Sequence, residues 1–342
     1  MHHPLRLRLD RAALAANWRW LAATAGTACG AAVKADGYGT GGSAAVAVLA
    51  EAGCRDFLVS TWDEARRLGP LPTGASLSVL HGVGPDDVAD ALASSARPVL
   101  NSVEQVARWR AAAPDRPCEV MVDSGMNRLG LRPEEVGVLD GLAIDTLMSH
   151  LACADQDHAL NAGQLARFRE VKAVVSAKRY SLANSAGICL GRDYSFDLVR
   201  PGLALYGGIP RAEAEGKIAQ VAYPEAQVVQ RRIANAGESV GYGATFVATR
   251  DTELAILNIG YADGYLRCFA GHGGGSVGGA RLPLVGRVSM DLVALDCGAA
   301  PGLREGDWVA LDYDLPVAAA ATGLSQYELL TGLGDRFERV WG

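Results

Sequence analysis

The sequence predicts an α/β chain in two parts: a parallel (β/α)8 barrel of the TIM type over residues 1–215, and a mostly β domain over 216–342. Three observations predict it. From residue 30 to about 206, short apolar runs alternate with longer amphipathic ones, giving eight β units. Strands that alternate with helices form parallel sheets, and eight such units close into a barrel. After about residue 215, short alternating runs punctuated by Val, Ile, Gly and Pro follow one another, a β texture. Finally, unusual polar residues fall at the ends of the early apolar runs, where a barrel carries its active site. A doubly wound open sheet satisfies the same alternation.

The eight candidate strands are 31–35, 56–60, 76–80, 97–101, 118–122, 145–149, 180–183 and 197–200, with helical stretches at 42–53, 61–69, 102–113 and 158–177. Residues 5–21 read as a strand and then a helix with Ala, Trp and Leu on one face. The later runs are 226–234, 253–259, 282–288, 291–296 and 307–312, with no long helix expected before 323–341. The boundary falls near 210–225.

Composition narrows the function. A hydrophobic content of 49% in 342 residues supplies a sizeable core, and a net charge of −6 argues against nucleic-acid or anionic-membrane partners. Seven cysteines (Cys29, Cys54, Cys118, Cys153, Cys189, Cys268, Cys297) show no Cys-x-x-Cys spacing. They read as reduced thiols of a cytoplasmic protein, with no disulfide framework and no metal site. Neither a signal-peptide core nor a bilayer-spanning run is expected.

Lys34 closes the first candidate strand, in the run AAVKADGYGTG (31–41). Arg128 lies in DSGMNRLG (123–130) after the fifth, His150 closes the sixth, Asn184-Ser185 follows the seventh, and Arg200-Pro201-Gly202 closes the eighth. Alone, each has an ordinary explanation: a surface arginine, a satisfied core histidine, a helix N-cap, a salt-bridge partner. Together they converge on one rim from distant segments. A lysine ending a buried strand has its pKa lowered by desolvation, and a neutral amine is what Schiff-base chemistry requires. Ser185 opening a helix, with the amides around Gly202 and Leu203, suits a phosphate dianion. A histidine against an aromatic ring and an arginine at its ring nitrogen complete the parts of pyridoxal 5′-phosphate (PLP).

Nine stretches in order then carry a resemblance: VKADGYGTG (33–41), VDSGMNRLGL (122–131), SHLACAD (149–155), LANSAGI (182–188), VRPGLALYGG (199–208), VGYGATF (240–246), IGYADGYLR (259–267), VGRVSMD (285–291) and SQYELLTGLG (325–334). The chain resembles the PLP-dependent alanine racemases along nearly its whole length. The resemblance implies a barrel followed by a β-rich domain, PLP as cofactor, alanine as substrate, and a homodimer whose C-terminal domain completes the partner's site. It makes Lys34 the Schiff-base lysine and one catalytic base, and Tyr242 the second base, supplied across the dimer. Tyr38, Ser185, Gly202, Leu203 and Tyr327 would bind the phosphate, with Asn184 in the same cofactor-binding set. Arg200 would face the pyridine nitrogen and His150 the ring. Arg128 would assist near the cofactor phenolate and the substrate carboxylate, while Tyr261, Met290 and Asp291 would line the substrate entry. Two bases are needed because each enantiomer presents its Cα proton to the opposite face.

Two positions depart from the family pattern. Many members carry a carbamylated lysine seven residues before the arginine matching Arg128, and here that position is Met121. Many have a histidine three residues before the Asn matching Asn184, and here it is Ser181. Arg128 therefore needs another support, and the Arg200 network is expected to end in a hydroxyl or water. Serine or another small amino acid is the nearest alternative substrate, and a non-catalytic PLP carrier is the alternative from another class. Related decarboxylases would lack GYGAT followed by IGYADG. The run GGGSVGG (273–279) superficially resembles a nucleotide loop, but no convincing helix follows it. Supply of D-alanine for the cell wall and its breakdown are equally compatible with the sequence.

Overall fold

The computed structural model describes residues 3–342. Two units divide it: Ala12–Ala219, and Gln220–Gly342 together with the N-terminal segment through Arg11. In the first, the apolar runs become parallel strands. Ala31–Ala32, Asp56–Val59, Ser76–Val79, Arg97–Leu100, Cys118–Met121, Ile144–Met148 and Arg179–Ser181 pair in chain order as one sheet. Helices such as Gly42–Ala52, Trp62–Leu68, Val103–Ala112 and Ala159–Val174 lie between them in the chain, and the strands are largely buried, with their charged residues near the strand starts. Leu198–Val199 pairs in parallel with Ala28–Cys29. Gly30 N donates to Val199 O and Arg200 N to Ala183 O, both at 2.9 Å, which ties this last strand to the first and seventh. The parallel strands thus make a barrel. Gly30 interrupts the first strand where a Cβ would lie 2.8 Å from Asp56 O.

The two ends of the barrel differ in chemistry. At the strand starts, Arg97 pairs with Glu119 (3.1 Å) and Asp145 (3.4 Å), and Arg179 with Asp56 (2.9 Å) and Asp145 (3.0 Å). These ions neutralise one another inside the strand ring. The strand ends carry the candidate site.

The C-terminal unit is an antiparallel barrel. Its long strand, Ala222–Ala234, pairs with Trp308–Leu311 over its first half and with Thr252–Leu257 over its second, with a register shift between Val228 and Gln230. Pairing continues through Val293–Asp296, Ala280–Val285 and Gly274–Val277 back to Trp308–Leu311. The glycine-rich run 273–279 is thus a strand and a hairpin: Gly278 (φ 57°) and Gly279 (φ 85°) make the tight turn that favours glycine at both positions. Helix Leu315–Thr322 falls earlier than the sequence suggests, because its nearly uniform run of alanines has no apolar period to read.

The division differs from the expected 1–215 barrel at the N-terminus. Leu5–Leu9 is a strand of the C-terminal unit, antiparallel to Ala222–Ala226 and parallel to Glu338–Trp341. Its period-two pattern explains this. Leu5, Leu7 and Leu9 are buried, while Arg6 and Arg8 point away and share Glu225 on the neighbouring strand. Arg6 also lies over the Trp308 ring, 4.3 Å from its centroid. No helix among the described residues is long and apolar enough to cross a membrane.

Leu7→Ala is expected to cost about 2–5 kcal/mol, the range for truncating a buried leucine. Arg8→Ala, on the exposed face, is expected to cost under about 1 kcal/mol. Urea midpoints of the two variants check this, and equal losses would contradict the packing described.

Candidate active site

Lys34 follows the first barrel strand at an unusual piece of backbone. The expected strand 31–35 stops at Ala32, and Ala35 (φ 51°), Asp36 (φ 51°), Gly37 (φ 62°) and Tyr38 (φ 54°) turn left-handed in succession. Each non-glycine residue there costs about 1–2 kcal/mol. Local bonds hold the turn. Gly37 N donates to Val33 O and Gly39 N to Ala35 O, both at 2.9 Å. Gly42 N donates to Asp36 Oδ1 at 2.7 Å and Ala35 N to Glu64 Oε1 at 2.8 Å. The Lys34 amine makes no hydrogen bond among the described residues. Burial lowers its pKa, Arg128 and Arg200 lower it further, and Glu64 opposes them.

The turn carries Tyr38 onto Tyr206, ring centroids 4.8 Å apart and nearly parallel. Its phenol reaches Gly202, where a Cβ would lie 2.1 Å from Tyr38 Oη. Beside it, buried Ser185 opens helix Ser185–Cys189, and its Oγ accepts from Gly202 N (2.9 Å) and Ala204 N (3.2 Å). A hydroxyl that accepts twice has its own proton left to give. The Leu203 N–H has no acceptor among the described residues. Tyr38, Ser185, Gly202 and Leu203 are therefore brought together with donors to spare. Asn184 sits with them, its side-chain oxygen committed as the N-cap to Gly187 N at 2.8 Å.

Arg200 is buried between the seventh and eighth strands. Its guanidinium donates to Ser181 Oγ, which passes a hydrogen bond to Leu198 O, and to Ser149 O at 2.6 Å. The network beyond Arg200 thus ends in a hydroxyl and a backbone carbonyl. Burial lowers the arginine to about 10 against the pull of Glu119. No carboxylate among the described residues bonds to it, so its charge is free to act on a ligand. The His150 ring makes no hydrogen bond among the described residues. Burial pushes it down to about 3, helped by Arg200, Arg128 and Lys34. Arg128 is exposed and makes no hydrogen bond or ion pair among the described residues. Met121, at the position of the carbamylated lysine in the family pattern, packs with Val99, Met148 and Leu80.

Five of the expected residues lie in the C-terminal unit. Tyr242 is 71% exposed between Gly241 (φ 79°) and Gly243 (φ 73°). The Arg287 guanidinium flanks this turn, 3.2 Å from where a Gly243 Cβ would be. Tyr261 N donates to Ser289 O at 3.0 Å and Ala262 N to Met290 O at 3.1 Å, so Tyr261, Met290 and Asp291 are neighbours. Gly260 permits the approach, since a Cβ would lie 2.2 Å from Met290 O. Arg336 clamps this corner through Asp291 (2.7 Å) and both oxygens of Asp263. Tyr327 is half-exposed on helix Gln326–Thr331.

Sequence reasoning missed Glu64, Tyr206, Arg287, Arg336 and Gln164. Thr61-x-x-Glu64 is a helix-start signature, but the Glu64 carboxylate turns out to hold Ala35 N and Ser60 N. Gln164 carries no such signal: it shares its stripe with Asn161 and reads as an ordinary helical polar residue until its burial is seen.

His150 gives a pH signature. An unfolded histidine protonates near 6.5, whereas the folded ring resists down to about 3. Between these values the unfolded chain binds more protons, so stability falls as pH drops through that window. His150→Gln is expected to flatten the fall in Tm between about pH 6.5 and about pH 4. Identical slopes in parent and variant would contradict it.

Comparison with known proteins places this geometry. The model of the alanine racemase N-terminal domain matches residues 9–210, and that of the alanine racemase C-terminal domain matches 221–341. An alanine racemase of Methylobacterium nodulans is 43% identical over 354 aligned residues, covering 98% of this chain and 96% of that protein. A catabolic alanine racemase of Agrobacterium fabrum is 42% identical, covering 98% of this chain and 91% of that protein. Among solved structures, alanine racemase from Bartonella henselae with covalently bound pyridoxal phosphate superposes with a TM-score of 0.92 at 35% identity, each chain covered in full. The chain belongs to the alanine racemase family.

Proposed function

We propose that this protein interconverts L- and D-alanine with pyridoxal 5′-phosphate at the barrel rim, using Lys34 and Tyr242 as bases on opposite faces of the substrate. Family membership supports the reaction, and one observation carries the assignment of the site. An unpaired lysine of lowered pKa shares the rim with the spare donors of Ser185 and Leu203 and with a cationic Arg200. That set fits the cofactor: an amine for its aldehyde, donors for its phosphate, and a hydrogen-bonding cation for its ring nitrogen. When bound, the cofactor withdraws electrons from the substrate's Cα–H bond.

Each residue then has a separable task. Lys34 Nζ in its neutral form takes or returns the Cα proton on one face. Tyr242 Oη does so on the other, with the charge of Arg287 beside its turn. Ser185, Leu203, Gly202 and Tyr38 hold the phosphate with Tyr327, and Asn184 fixes the helix that presents Ser185. Arg200 keeps its proton and donates a hydrogen bond, which makes it a weaker acid at the ring than a carboxylic partner. His150 packs against the ring. Arg128, Tyr261, Met290 and Asp291 orient the amino acid.

The exposure of Tyr242 supports a homodimer in which each C-terminal unit, Gln220–Gly342 with the N-terminal strand, completes the barrel Ala12–Ala219 of its partner. We read that barrel as eight-stranded, since the last strand bonds to both the first and the seventh. The free state of all seven cysteines supports a reducing, cytoplasmic setting.

The test is racemisation of both enantiomers by the PLP-loaded protein. Lys34→Ala is expected to abolish it. Tyr242→Phe is expected to reduce it by about 10²–10⁴-fold, the usual weight of one acid–base group, while solvent-deuterium exchange persists for one enantiomer only. A parent protein that racemises neither enantiomer overturns the reading. Separately, Gly202→Ala is expected to weaken PLP retention by about tenfold or more, roughly 1.4 kcal/mol. An unchanged Kd in equilibrium dialysis would move the phosphate site elsewhere.

A further inference from the structure

Helix Ala159–Val174 buries a stripe made of Asn161, Gln164, Leu165, Phe168 and Val171. The spacing is that of a core-facing helix, yet Gln164 is 0% exposed. A leucine there would cover similar area without the cost of desolvating an amide. The amide is fully used instead. Its Oε1 accepts from Ala152 N at 2.8 Å, and its Nε2 donates to His150 O at 2.9 Å and to Ser124 Oγ at 3.2 Å.

These partners lie on the segments that carry the rim residues. Ser124 begins the loop that presents Arg128, and its Oγ shares a 2.7 Å bond with Ser149 Oγ. The Ser149 carbonyl in turn accepts from Arg200. Neighbouring turns of the helix act alike. Arg167 donates to Ser124 O and sits where a Gly125 Cβ would be only 2.4 Å from its guanidinium. Asn161 donates to Cys153 O at 3.0 Å and Gln156 O at 2.9 Å. Because the Arg128 side chain makes no bond among the described residues, its place is set by its loop. That loop is closed at its base by Asp123 N to Leu131 O (2.8 Å) and Leu131 N to Met121 O (2.9 Å), and it is fastened to the neighbouring helix at Ser124.

We propose that Gln164 is a positioning residue that locks the Arg128 loop to the His150 segment and through it fixes Arg128 for the substrate. This rests on the function proposed above. It accounts for the support of Arg128 where the Met121 side chain carries no hydrogen-bonding group that could hold it, and it assigns the task to a buried network, which specifies one arrangement when every member is satisfied.

The test compares the PLP-loaded full chain with its variants. Gln164→Leu is expected to raise KM for alanine by about tenfold, the effect of one lost buried hydrogen bond, with PLP retention unchanged. In an Arg128→Ala background the same substitution should add almost nothing, because coupled residues are non-additive. A merely structural role would give equal losses in both backgrounds. Gln164→Glu keeps the acceptor for Ala152 N but donates only when protonated, so its KM should recover toward the parent value as pH falls, a trend the parent lacks. In the cofactor-free chain, amide exchange over 123–130 and at Ala152 should accelerate in Gln164→Leu while that of Asp56–Val59 stays constant. If Gln164→Leu does not fold, Ser124→Ala cuts the same link and is expected to raise KM in the same way. Unchanged KM and unchanged exchange, or additive losses with Arg128→Ala, overturn the proposal. Absence of racemisation by the parent overturns the proposed function instead, while the exchange measurement still judges the positioning role.

Discussion

The left-handed turn from Ala35 to Tyr38 is the constraint on which the rest of the rim depends. An L-residue avoids this backbone, and Ala35, Asp36 and Tyr38 adopt it in one short stretch. The turn persists because its neighbours determine it several times over. Glu64 takes up the Ala35 amide, Asp36 takes up the Gly42 amide, and Tyr206 supports the Tyr38 ring from a helical turn beyond the eighth strand. Tyr206 also donates to Ala32 O at 3.1 Å, just before the turn. In consequence Lys34 is aimed from a rigid support, and the first and eighth strands are joined through two stacked rings. Gly202 must lack a side chain for the same reason, since Tyr38 occupies the space.

Charge divides the barrel into two unlike ends. At the strand starts, Asp56, Glu119 and Asp145 are matched by Arg97 and Arg179. At the strand ends, Lys34, Arg128 and Arg200 act on one another, with Glu64, whose oxygens accept from the Ala35 and Ser60 amides, as the carboxylate that partly offsets them at Lys34. Like charges in a partly desolvated site repel strongly. The lowered Lys34 amine, the neutral His150 ring and the lowered Arg200 guanidinium are three responses to that repulsion and to burial. A dianionic ligand relieves it, which is the electrostatic case for a phosphate-bearing cofactor at this rim.

Much of this was legible in the sequence because it is written in local patterns. Apolar runs near 56, 76, 97, 118 and 145 became strands within a residue or two, and LRLRL announced a strand with one buried face. Lys34, His150, Ser185 and Arg200 stood out because a barrel places its strand ends on one rim. What local patterns do not encode is partnership. Nothing around Leu5 to Leu9 says that its partners lie near residues 222 and 338, so the strand was assigned to the wrong unit. The run around Lys34 does not by itself distinguish an extended end of strand from a left-handed turn, because part of what holds the turn is the Glu64 carboxylate, 29 residues from Ala35. Gln164 escaped because a glutamine in a helix is ordinary until its burial is known.

The placement of Leu5–Leu9 also bears on how the chain is made. This strand is made well before its partners: the Arg6–Glu225 pair spans 219 residues, and its other neighbour, Glu338–Trp341, lies further along still. Contacts of such separation form late and slowly. During synthesis the intervening barrel can assemble while an unpaired strand edge waits in solution, a state prone to adventitious pairing. Arg6 and Arg8, which share Glu225 in the folded chain, give that strand one cationic face, and charge of one sign along an edge disfavours edge-to-edge pairing.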